Sequence, residues 1–135
     1  MKRIFLDTNF LIDYLVREDF RGNAERVMFL GSKRGYRFLI SYLSVANFAY
    51  IMRKENEDVL KSLIKTICQL FEVLPNNKNQ ILLSLDFNCR DYEDTLQVMT
   101  AIEGNCEIII TRNSKDFTFS KIRIMTPDEF IKEFD

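Results

Sequence analysis

A chain of 135 residues with 47% hydrophobic content is sized for one domain, and its net charge of −1 gives it no bulk attraction to a polyanion. It has no histidine, which excludes Ser-His-Asp and Cys-His nucleophile pairs and imidazole metal ligands and leaves acid-base chemistry to carboxylates, lysines or metal-bound water. Cys68, Cys89 and Cys106 show no paired short spacing, so neither a disulfide framework nor a cysteine zinc site is expected, and a reducing cytoplasm is the natural home.

Lys2 and Arg3 precede an apolar stretch, but Asp7 and Asp13 interrupt it as a signal peptide, and no run approaches the ~20 apolar residues of a membrane span. Lys2 to Leu6 reads as a strand and Asn9 to Arg17 as a short helix with Phe10, Leu11, Tyr14 and Leu15 on one face. Asn23 to Lys33 reads as a second helix through Ala24, Val27, Met28 and Leu30, ending near Gly35, before a buried strand at Phe38 to Ser41. A helix from about Ser44 carries Val45, Phe48, Ala49, Ile51 and Met52. Asn56 and Glu57 break that pattern ahead of a longer helix from Val59 to about Leu70.

Phe71 to Leu74, closed by Pro75, is a third strand, and Asn79 to Phe87 is apolar at helical spacing. Asp91 to Glu103 begins another helix with Asp91 as its N-cap. Glu107 to Thr111 contains three consecutive isoleucines, the signature of a strand buried on both faces of a parallel sheet. Ile122 to Met125 is the fifth strand. Thr126-Pro127-Asp128-Glu129 is then a well-formed helix start, with a Thr cap, Pro in the first turn and Glu three residues after the cap. Strands alternating with helices predict a single α/β domain over residues 1–135, with a five-stranded, mostly parallel sheet covered by helices on both faces.

Asp7, Asp94 and Asp116 are the acids set where open α/β sheets bind ligands, near the carboxyl ends of strands. Each also has a structural reading. Asp7 or Asn9 can cap the first helix; Asp94, three residues after Asp91, can reach a cap amide or complement the helix dipole; Asp116 can form a turn before Phe117, with Asn113 competing at the strand end. Crowded carboxylates repel one another unless a divalent cation neutralises them, and oxygen ligands suit Mg²⁺ or Mn²⁺. Any nucleic-acid contact must be local, and Arg17, Lys33, Arg34, Arg53, Lys54, Arg112 and Lys115 are the residues available for it.

Five segments in order resemble the PIN domain, a family of metal-dependent ribonucleases that includes VapC-type toxins of toxin-antitoxin pairs. They are Phe5 to Asp13, the Ser41 to Ile51 junction, Asp91 to Gln97, Ile110 to Phe117, and Thr126 to Phe130, and together they cover nearly the whole chain. The resemblance implies a divalent-metal ribonuclease, using Mg²⁺ or Mn²⁺, that cuts single-stranded or structured RNA by metal-activated water. It implies Asp7, Asp94 and Asp116 as metal ligands and Asn47 as a residue orienting water, with Thr8, Asn9, Glu93, Thr111 and Asn113 as accessory candidates. It further implies an antitoxin protein as partner, a homodimer, and no membrane association.

Two positions depart from the family pattern. Asn113 stands where many members carry Asp, and Asn47 where many carry a Glu one turn into the helix after strand two. An amide there adds no negative charge, and a unit-charge pair at 4 Å is worth roughly 4 kcal/mol at an effective dielectric of 20 before desolvation. The alternative reading is therefore a catalytically weakened PIN domain that binds RNA or protein. A remote second alternative is a haloacid-dehalogenase-like phosphotransfer protein with Asp7 as nucleophile, although that family expects an Asp where Asn9 stands.

Overall fold

The computed structural model describes residues 2–87, 91–114 and 122–135. The chain runs β1 (Arg3–Leu6), α1 (Thr8–Leu15), α2 (Glu18–Lys33), β2 (Arg37–Ser41), α3 (Tyr42–Ile51) and α4 (Glu57–Leu70). It continues through β3 (Glu72–Leu74), α5 (Lys78–Ser84), α6 (Tyr92–Glu103), β4 (Ile108–Ile110), β5 (Arg123–Met125) and α7 (Pro127–Phe134). The expected α/β architecture is present, and the pairing of the five strands is parallel throughout, in the order β3-β2-β1-β4-β5.

Strand alternation divides the core in two. Ile4, Leu6, Phe38, Ile40, Ile108 and Ile110 face one side, where Leu11 of α1, Val27 of α2, Phe48 of α3, Ile67 of α4 and Phe130 of α7 cover them. Phe5, Leu39 and Ile109 face the other, against Val98, Met99 and Ala101 of α6. Both faces of the sheet are dry, which is why the strands read as continuous apolar runs. Each large side chain so buried contributes on the order of 1.5–3 kcal/mol of transfer free energy.

Helix boundaries differ from the sequence reading where the apolar period is silent. α2 begins at Glu18, well before Asn23, because Glu18 and Asp19 complement the positive end of the helix without showing in a hydrophobic pattern. α3 follows β2 with no loop: Ser41 ends the strand and caps the helix, its hydroxyl accepting from the Ser44 amide at 3.0 Å. Asn56 starts the next helix as well as breaking the last, accepting from the Asp58 amide at 2.8 Å. Gly35 turns the chain into β2 at φ 82°, a left-handed conformation that disfavours other residues.

α5 ends at Ser84 and packs inside out. Its buried side chains are polar, Gln80 and Ser84, while Ile81, Leu82, Leu83 and Leu85 are exposed. Gln80 is satisfied by the Pro75 carbonyl, Glu103 and the Asn77 capping box, so the inward face is a hydrogen-bonded seam against α6.

The strand order sets the site. From β1 the chain builds outward through β2 and β3, then returns to lay β4 against the other side of β1. A crevice forms at the carboxyl edge wherever strand order reverses in this way. Register places Leu6 opposite Ile110, so the residues that emerge at that crevice are Asp7 and Thr111.

Candidate metal centre

Asp7 leaves β1 and immediately caps α1, with Oδ1 accepting from the Phe10 amide at 2.9 Å. Its Oδ2 accepts from the Thr111 hydroxyl at 2.6 Å, a bond that spans the crevice between β1 and β4. The cap reading of Asp7 thus holds, and the same carboxylate sits at the crevice edge, so capping does not exclude a ligand role. Asp7 is only 6% exposed, and burial pushes its carboxyl above the usual range against the opposing pull of those two hydrogen bonds.

Asp94 sits in the first turn of α6, whose cap is Asp91, accepting from the Asp94 amide at 3.2 Å. The Asp94 carboxylate is therefore not used as a cap. Burial first, then the neighbouring Asp91, then Asp7 and Glu93, push its carboxyl up to about 7. Asp7 is close enough in this fold for its charge to act on Asp94, although the two are 87 positions apart in sequence.

Asn47 Nδ2 donates one of its two protons to Glu93 Oε1 at 2.8 Å, a bond that does not use Oδ1, the atom expected to orient water. The amide thus ties α3 to α6 at the site's edge and holds an exposed acid beside Asp94. Thr111 and Thr8 are buried, and Asn9 is half-buried in the first turn of α1. Asn113 follows the strand, and its amide donates to Thr111 Oγ1 at 3.2 Å, so it steadies the hydroxyl that holds Asp7. Asp116, with Lys115 and Phe117, lies outside the described residues.

Sequence reasoning named Thr8 but missed the buried polar cluster it joins, with Ser41, Ser44 and Gln97. Gln97 was legible as a polar residue between the apolar Leu96 and Val98 of a packed helix, but nothing in the spacing named its partners. Several cations expected to be available for phosphate are instead engaged. Arg112 and Arg17 reach the buried Asp13 carboxylate at 2.9 and 3.3 Å, and Arg112 also lies over the Phe20 ring. Arg53 lies over Tyr50 and Arg34 over Phe134.

The donors are all oxygen, and both acids carry raised proton affinities, each first from burial, then Asp7 from the Asp13 charge and Asp94 from Asp91, Asp7 and Glu93. That is the chemistry a hard divalent cation relieves, so Asp7 and Asp94 fit such a group. Among the described residues no group of three acids is placed to hold an ion, and the set needs a further ligand from elsewhere. A pH dependence follows. An acid whose pKa rises from 3.8 unfolded to about 7 folded gives stability that is full below pH 3.8 and is lost as pH climbs through 7. Metal-free protein should therefore lose melting temperature between pH 4 and 7.5 by a component absent from Asp94→Asn, measurable by calorimetry in the two proteins; identical profiles would contradict the shift.

The comparisons with known proteins come to the same place. The chain matches the PIN domain family model over residues 3–115. It is 27% identical to Ribonuclease VapC1 of Aquifex aeolicus (strain VF5) over 143 aligned positions, covering 99% of this chain and 96% of that one. Among solved structures, VapBC2 from Rickettsia felis, bound to a DNA fragment from their promoter, superposes with a TM-score of 0.73 at 15% identity, over 92% of this chain and 98% of that one. VapBC-1 from nontypeable Haemophilus influenzae gives 0.71 at 22% identity, over 93% and 98%. Mycobacterium tuberculosis VapC20, a Sarcin-Ricin loop cleaving toxin, gives 0.65 at 13% identity, over 89% and 98%. With the family model spanning both strand ends of the crevice, the dehalogenase-like alternative falls away and this chain belongs to the PIN domain family.

Proposed function

We propose that this protein is a divalent-metal-dependent endoribonuclease of VapC type, acting in the cytoplasm as the toxin of a toxin-antitoxin pair, with Mg²⁺ or Mn²⁺ at Asp7 and Asp94 and Asp116 as the third ligand. The observation that carries the reading is a buried Asp7 and a half-buried Asp94, both with carboxyls raised first by burial, at the crevice of a PIN fold. The named ribonuclease relative and the VapBC structures support it. Among the described residues no helix is long and apolar enough to cross a membrane.

A bound divalent cation supplies an activated water at neutral pH and polarises a phosphodiester oxygen. The chain's own residues prepare for it. The Phe10 amide and Thr111 hydroxyl fix both oxygens of Asp7, so the carboxylate is pre-aligned and loses little freedom on binding. Asp94, its carboxyl pushed up to about 7, is only partly ionised near neutral pH, and a bound cation would favour its charged form. RNA contacts in this reading are local and few, in keeping with the net charge.

The second reading, a PIN domain that binds RNA or protein without cutting, draws on Asn47, whose amide donates to Glu93 and adds no charge. The two separate in one experiment. Incubated with RNA and Mn²⁺, the wild-type chain should cleave roughly 100-fold or more faster than Asp7→Asn, the scale of losing a preorganised electrostatic group. Equal cleavage in both would sink the nuclease assignment at Asp7, and none in either would leave the non-cutting reading.

The exposed leucines of α5 support a homodimer built on that helix, since a helix that buries its polar side leaves its apolar side to be covered by something else. A standard interface takes about 800 Å² per partner. Sedimentation should show a dimer for the wild type and a monomer for the pair Leu82→Glu and Leu85→Glu; a dimer unmoved by that pair places the interface elsewhere.

A further inference from the structure

We propose that Gln97 is a positioning residue for the metal centre, the hub of a buried hydrogen-bond network that locks the elements bearing Asp7, Asn47 and Asp94 into one relative placement. Gln97 is 1% exposed and uses both ends of its amide. Oε1 accepts from the Ser41 hydroxyl at 2.8 Å; Nε2 donates to Ser44 Oγ at 2.9 Å and, more weakly, to Thr8 Oγ1 at 3.4 Å. Thr8 and Ser44 share a further hydroxyl bond at 2.9 Å, which closes the ring.

The positions explain why this is more than packing. Thr8 follows Asp7 directly; Ser44 lies one helical turn before Asn47 on α3; Gln97 lies one turn after Asp94 on α6. Each member is therefore one short step from a residue at the crevice, on three elements that share no covalent connection there. Apolar contacts between such helices tolerate small slides. Hydrogen bonds do not, because a shift of an ångström leaves a buried donor or acceptor unpaired, at the cost of desolvating it. Among the described residues no buried side-chain polar atom lacks a partner, so the network is complete as it stands. A core built for stability alone would place apolar side chains here, as the surrounding Val98, Met99 and Ala101 do.

The inference rests on the reading of Asp7 and Asp94 as cation-binding, and its test separates the two. Mn²⁺ affinity is measured by calorimetry, alongside melting temperature without metal, for the wild type, Asp7→Asn, Gln97→Met, Thr8→Val and Thr8→Ser. Gln97→Met keeps length and volume, Thr8→Val keeps shape without the hydroxyl, and Thr8→Ser keeps the hydroxyl.

The network account expects Gln97→Met and Thr8→Val to weaken Mn²⁺ binding by about 10- to 100-fold, the scale seen when residues that orient metal ligands are lost, with Thr8→Ser close to wild type. Wild-type affinity in Gln97→Met, whatever its melting temperature, would overturn it. Should Gln97→Met not fold, the Thr8 pair decides: equal affinities for Val and Ser overturn the proposal, and a Val-specific loss supports it. Absence of Mn²⁺ binding in the wild type, or equal binding in Asp7→Asn, overturns the cation reading and this inference with it. Loss in Asp7→Asn alone overturns only the positioning role.

Discussion

The hydrogen bond from the Thr111 hydroxyl to Asp7 joins the two strands between which the order of the sheet reverses, and the rest of the site depends on it. β1 and β4 are adjacent only because the chain returns past its own first strand, and their matched register brings a hydroxyl and a carboxylate out side by side. The parallel sheet, dry on both faces, holds that edge rigid. A carboxylate whose oxygens are both engaged by a backbone amide and a neutral hydroxyl is oriented without being neutralised. Its burial leaves that charge costly, which is the state the proposed cation would relieve.

That cost is visible in the proton affinities. Burial raises both carboxyls, helped at Asp7 by the Asp13 charge and at Asp94 by Asp91, Asp7 and Glu93, and such clustering of unfavourable charge is a common mark of a functional site. A stability-driven sequence would put a cation or an apolar side chain there. The chain does so next door, where Asp13 is buried but answered by Arg17 and Arg112. Asp13 is thus held in ion pairs, whereas Asp7 is met by an amide and a hydroxyl and by no ion pair among the described residues.

How much of this was legible depends on what physics each residue obeys. The triple isoleucine of β4 and the Thr126 capping box with its Pro are local signals, and both formed as read. Asp7 was ambiguous between cap and ligand because the two roles share one geometry. The start of α2 was hidden by charged residues that serve a helix dipole and not a core, and the inside-out packing of α5 was hidden because hydrophobic periodicity shows that a helix has two faces but not which one is buried. The Asn47 to Glu93 bond and the Gln97 network were out of reach: they join residues 46 and 53 to 89 positions apart, and their partners follow from tertiary placement alone.

The proposal joins these features into a PIN domain in which two acids with raised carboxyls and a buried polar ring prepare one edge of the sheet for a divalent ion. Crystals grown with Mn²⁺ and recorded near the manganese absorption edge test that most directly. The account predicts an anomalous peak between the Asp7 and Asp94 carboxylates. A peak that avoids both, or no peak at saturating Mn²⁺, would contradict it.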